Sequence, residues 1–143
     1  MQILEACKMR ILKDYIYENI EYLVTDGRDG FNPSADGIRM LASRKVGVGA
    51  DKIIVFHGSA ECPSFTVYDA DGNKVEASRE DVLVFAYYLR CEGIPASAVE
   101  IVHALGDQAI LAIHDLHLPE MEVRLTEHFI CQMSGVDEAE LAC

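Results

Sequence analysis

The sequence is short of positive charge. Its 143 residues hold 12 lysines and arginines against 24 aspartates and glutamates, a formal net charge of −12. A surface of that sign repels a phosphate backbone and an anionic membrane, and no basic cluster with interleaved aromatics offsets it. Neither nucleic acid nor a membrane is expected as a partner. A run of about 20 apolar residues, the length that crosses a bilayer, is missing. The opening, MQILEACKMR, has neither the charge order nor the apolar length of a secretion signal. The five cysteines (Cys7, Cys62, Cys91, Cys131 and Cys143) are odd in number and without CxxC spacing. They read as reduced thiols of a cytoplasmic protein. Repeats, low-complexity tracts and interdomain linkers are also lacking. What remains is one domain over residues 1–135, long enough to bury roughly two-thirds of its unfolded surface, with an acidic tail at 136–143.

The stretch from Ser64 to Gly93 organises the rest. Ser64–Asp69 reads as a strand, Ala70-Asp71-Gly72-Asn73 as a turn, and a short return strand follows, because Asp-Gly lies between β-branched and aromatic runs. A helix is then predicted from Arg79 to Cys91, with Ser78 as N-cap, Arg90 in the last turn and Gly93 just past the end. Its middle, Val82-Leu83-Val84-Phe85-Ala86-Tyr87-Tyr88-Leu89, is apolar on every face. A helix of that kind is surrounded by protein, so a sheet wrapped around a central helix is expected, with Cys91 as a small core residue.

Elsewhere the pattern predicts two strands between Met1 and Val24 and a polar loop at Thr25–Gly30. A helix of roughly ten residues, Ser34–Arg44, follows with Ile38, Leu41 and Ala42 inward. Asp51–Phe56 reads as a strand with an exit loop at His57–Pro63. Ala98–Leu105 and Gln108–Ile113 flank a Gly106-Asp107 hairpin signal. Met121–Thr126 alternates, with Met121, Val123 and Leu125 on one face and Glu122 and Arg124 on the other. The class is α+β, with a curved antiparallel or mixed sheet.

Three motifs carry a resemblance. Tyr68-Asp69-Ala70-Asp71-Gly72, Glu76 and Phe85-Ala86-Tyr87-Tyr88-Leu89 resemble the F-N-A-D-G-S-x-x-E-x-C-G-N-G-x-R-C-F-A-R-Y-L stretch of the diaminopimelate epimerases. Arg44-Lys45-Val46-Gly47-Val48-Gly49-Ala50-Asp51 is similar to that family's R-x-x-G-I-G-A-D. Lys8-Met9 with Lys13-Asp14-Tyr15-Ile16-Tyr17 is similar to its opening K-M-H-G-x-G-N-D-Y. The resemblance covers the whole chain but only the N-terminal half of a family member, and it implies a single epimerase lobe. In the family, a cysteine at the N-terminus of the central helix exchanges the substrate α-proton, opposite a second cysteine from the other lobe. Aligned on Ala70-Asp71-Gly72 and Phe85-Ala86, that position holds Ser78.

A serine hydroxyl is a far weaker acid than a thiol and needs a strong neighbouring base, so no catalytic residue is expected; a plain N-cap accounts for Ser78. The family's G-N-G, which offers bare amides and a positive dipole end to the substrate carboxylate, aligns with Arg79-Glu80-Asp81, and its substrate-binding asparagine with Asp69. Asp69, Ser78, Arg79 and Glu80 thus read as a vestigial ligand site, able at most to hold a small amino-acid-like ligand. Two weaker motifs carry little. His114-Asp115-Leu116-His117 with Glu120 and Glu122 lacks metal-ligand spacing on a helix and reads as solvated loop histidines. Gly47-Val48-Gly49 precedes a strand instead of following one, the reverse of a dinucleotide loop. No metal and no cofactor are expected.

The resulting expectation is a stand-alone epimerase-like lobe without epimerase activity, a pseudoenzyme serving as a binding or assembly module. Its partner would be a second copy in a homodimer or a second epimerase-like chain. The alternative is a cofactor-independent (PLP-independent) amino-acid epimerase of lysine biosynthesis whose site another chain completes.

Overall fold

The computed structural model describes residues 7–31, 33–45, 47–102, 108–113 and 117–131. The Gly106-Asp107 turn, His114, Asp115 and the acidic tail lie outside the described residues. Among the described residues eight strands and two helices follow one another as β1 (Cys7–Tyr17), β2 (Ile20–Asp26), α1 (Ala35–Ala42), β3 (Lys52–Gly58), β4 (Pro63–Asp69), β5 (Lys74–Val75), α2 (Arg79–Cys91), β6 (Ala98–Val102), β7 (Gln108–Ala112) and β8 (Glu122–Cys131). They form one open mixed sheet in the order β7-β6-β4-β3-β2-β1-β8, with β5 paired to β4. The class is α+β, as the sequence indicates.

Two crossovers set the architecture. β2 and β3 are parallel neighbours joined through α1, and β4 and β6 are parallel neighbours joined through β5 and α2. β3 and β4 are antiparallel, so the two crossovers step the same way along the sheet from strands of opposite direction. Connections of this kind are right-handed, and that rule sends the two helices to opposite faces. The packing agrees. Tyr22, Val24, Ile54, Phe56, Phe65 and Val67 lie in one cluster with α2. Leu12, Leu23, Ile53, Val55 and Tyr68 lie in a second with Ile38, Leu41 and Ala42 of α1. Adjacent strand residues alternate between the two clusters as the period of two requires. The middle strands are therefore buried on both faces and read as continuous apolar runs.

α2 has the bounds the sequence predicts, and residues 81–86, 88 and 89 are all buried. Phe85 stacks on Phe65 at 4.4 Å and meets Phe56 edge-on at 5.5 Å, while Tyr88 lies edge-on to Tyr15 and Phe56. Cys91 differs from expectation: it is the last residue of the helix and is exposed, because the apolar run of α2 ends at Leu89. α1 stops at Ala42, two residues early, where extended Ser43 (ψ 130°) turns its amide back to the Arg39 and Met40 carbonyls. β3 continues through His57 and Gly58, since both pair with β4. Val123 is 39% exposed rather than buried with Met121, which precedes the strand. Among the described residues no helix is long and apolar enough to cross a membrane.

Candidate functional site

The N-terminal mouth of α2 is closed by its own sequence. Ser78 is extended (φ −81°, ψ 171°) and its hydroxyl accepts from the Asp81 amide at 3.2 Å. Asp81 reciprocates, its Oδ2 accepting from the Ser78 amide at 2.9 Å. This is a capping box, which satisfies two of the helix's orphan donors at once. The Ser-x-x-Asp spacing ahead of an apolar run announces it.

Asp81 does more than cap. It is 0% exposed, and its Oδ1 accepts from the Tyr22 hydroxyl at 2.8 Å and from Lys52 Nζ at 3.0 Å. Lys52 Nζ also reaches Oδ2 at 3.2 Å. A buried carboxylate persists only when paired and hydrogen-bonded, and three groups from β2, β3 and the cap do that here. Tyr22 and Lys52 are directly paired across the parallel β2–β3 ladder, which brings both to the helix mouth. Burial, then the hydrogen bond to Asp81, pushes the Tyr22 hydroxyl well above its ordinary pKa. Motif reading does not single out Tyr22 or Lys52, because only the β2–β3 pairing unites residues 30 positions apart.

The other predicted residues fall around this group. Asp69 ends β4 directly opposite Lys52, so it shares Lys52's face of the sheet. Its Oδ1 accepts from the amides of Asp71 at 2.9 Å and Asn73 at 3.0 Å. That is an Asx turn, the local use that favours Asp at the entrance to a turn. Gly72 within it has φ +90° and packs so closely on α1 that a Cβ would meet the Ala35 carbonyl oxygen at 2.4 Å. Arg79 is exposed and Glu80 half-buried on the first turn of α2. A groove of about 260 Å³ opens beside them, lined by Ala77, Ser78, Arg79, Val82, Leu83 and Leu111. Apolar side chains dominate it. Among the described residues no group of three or more His, Cys, Asp or Glu could hold a metal ion; His117, Glu120 and Glu122 do not form one.

No protein-family profile matches the chain. It is 31% identical over 110 residues to a diaminopimelate epimerase of Acidovorax ebreus (strain TPSY), covering 68% of this chain and 36% of that protein. Against a diaminopimelate epimerase of Halorhodospira halophila the identity is also 31%, over 83 residues, 55% of this chain and 29% of the relative. The chain thus spans about a third of the length of the curated relatives it matches. Among solved structures it is similar to a phenazine biosynthesis PhzC/PhzF protein from Clostridium difficile (strain 630), with a TM-score of 0.51 at 7% identity, over 76% of this chain and 41% of that one. That likeness concerns the fold alone. The chain is similar to diaminopimelate epimerases, as its three motifs indicate.

Proposed function

We propose that this chain is a diaminopimelate-epimerase-like lobe that no longer exchanges α-protons and works as a cytoplasmic assembly module, holding a second copy of itself or another epimerase-like chain. Asp81 carries the reading. It is a fixed internal anion at the helix mouth, where the resemblance implies that a substrate carboxylate binds, and it already engages Lys52, Tyr22 and the Ser78 amide. A second carboxylate there would find the Ser78 and Asp81 amides already taken by the capping box and Lys52 already paired with Asp81. The Ser78 hydroxyl takes the Asp81 amide, and the nearby carboxylate binds the Ser78 backbone rather than that hydroxyl, so it does not serve as its base. Support for assembly comes from β7, where Ile110 is 72% and Leu111 40% exposed at the end of the sheet order; a terminal strand with apolar side chains invites pairing.

The test is α-proton exchange in deuterated water, with diaminopimelate and a panel of other amino acids, run beside sedimentation velocity. The expected result is no exchange from wild type or Ser78→Ala, and a dimer or larger species. Exchange that Ser78→Ala abolishes would overturn the reading in favour of a PLP-independent epimerase.

A further inference from the structure

On the opposite face of the same strands lies a second buried carboxyl group that the α2 mouth does not use. Asp14 of β1 is 5% exposed, and its Oδ1 has no hydrogen-bond partner among the described residues. Asp14 pairs directly with Leu23 of β2, so Glu21, two residues along that strand, is its diagonal neighbour on the same face of the sheet. Glu21 in turn accepts from Arg44 at 2.7 Å, and Arg44 also reaches Asp51 Oδ1 at 3.2 Å. The backbone joins in. The Asp51 amide donates to the Glu21 carbonyl at 2.8 Å, and the Glu21 amide to Asp51 Oδ2 at 2.9 Å. Arg124 of β8 pairs directly opposite Asp14, with Glu122 bonded to it.

These contacts hold one segment. Residues 43–51 join α1 to β3, and the amides of Val48 and Gly49 both donate to the Leu41 carbonyl at 3.0 Å, and that of Ala50 to Ala42 at 3.1 Å. The segment's last residue is Asp51, and the next is Lys52, which engages Asp81. We infer that the Asp14–Glu21 carboxyl pair is a proton-operated latch on residues 48–51, the stretch that leads into β3. With one shared proton, Asp14 donates to Glu21 and leaves the Glu21 charge to Arg44. Without it, the buried Asp14 carboxylate faces the partly buried Glu21 carboxylate, and Arg44 and Arg124 must serve both as well as Asp51 and Glu122.

The direction of the pH response follows. Burial, then the hydrogen bond and charge of Glu21, pushes Asp14 up to about 7, while its hydrogen bond and that of Arg44 hold Glu21 below the usual range. The folded pair therefore keeps a proton that the unfolded chain releases near pH 4. Stability present at and below the ordinary carboxylate pKa is lost as pH rises, and the loss is complete above about pH 7. One extra proton in the folded state changes the folding constant by up to about tenfold per pH unit.

The test is urea denaturation of the whole chain between pH 5 and 8.5, together with amide hydrogen exchange corrected for the intrinsic rate. Wild type should lose folding constant towards pH 7 relative to Asp14→Asn, which keeps a neutral donor. The amides of Gly49, Ala50 and Asp51 should lose protection above pH 7 in wild type and keep it in the variant, while amides inside α2 hold. Glu21→Gln should flatten the same slope, so the inference stays testable if Asp14→Asn folds poorly. Equal slopes in wild type and both variants, or a loss of protection shared equally with α2, would overturn it.

Discussion

Truncating Asp81 strands a lysine and a tyrosine at once. Breaking a buried pair by removing one partner costs about 3–5 kcal/mol, whereas replacing both partners is far milder. Asp81→Ala and Lys52→Met should each lower stability by about 3 kcal/mol in urea denaturation. The double variant should lose at least about 1 kcal/mol less than their sum. Strict additivity would mean that the two side chains do not interact. Ser78→Ala should cost about 1 kcal/mol, the ordinary price of an N-cap. The capping pair is legible in the sequence as Ser-x-x-Asp, and so is the turn use of Asp69, since Asp before a Gly-containing turn bonds its own downstream amides. The pairing of Asp81 with Tyr22 and Lys52 is not, because it depends on a parallel register between β2 and β3 that no local pattern encodes.

Among the elements, α2 is the one whose bounds and burial the residues announce most fully, through Ser78, the apolar run and Gly93. Phe85 joins it to β3 and β4 through the rings of Phe56 and Phe65. Phe85→Ala should cost about 3–5 kcal/mol, as large cavities in well-packed cores do. α1 is harder to bound: Ser34 marks its start, yet Ser43, Arg44 and Lys45 suit a helix end as well as a loop, and backbone closure at Ser43 decides. The β4–β5 turn docks on the start of α1 through Gly72. Gly72→Ala meets both a positive φ and a backbone oxygen at 2.4 Å, so thermal unfolding should show a loss of more than about 1 kcal/mol. An unchanged midpoint would mean that the turn is free to move off the helix.

Across the whole molecule, two crossovers of opposite strand direction place one helix on each face of a single sheet. Each face then carries its own polar centre at the same β2–β3 position: Tyr22 and Lys52 meet Asp81 on the α2 side, and Glu21 and Asp51 meet Arg44 on the other. Alternation along β2 and β3 makes the split readable in outline, but the sequence does not say which residues across the sheet complete each centre. The first centre is filled by the chain's own carboxylate, Asp81. The most direct test follows the amide resonances of Ser78 and Asp81 as diaminopimelate is added at millimolar concentration. Unmoved resonances are the predicted result; saturable shifts at both amides would show an open mouth and contradict the account.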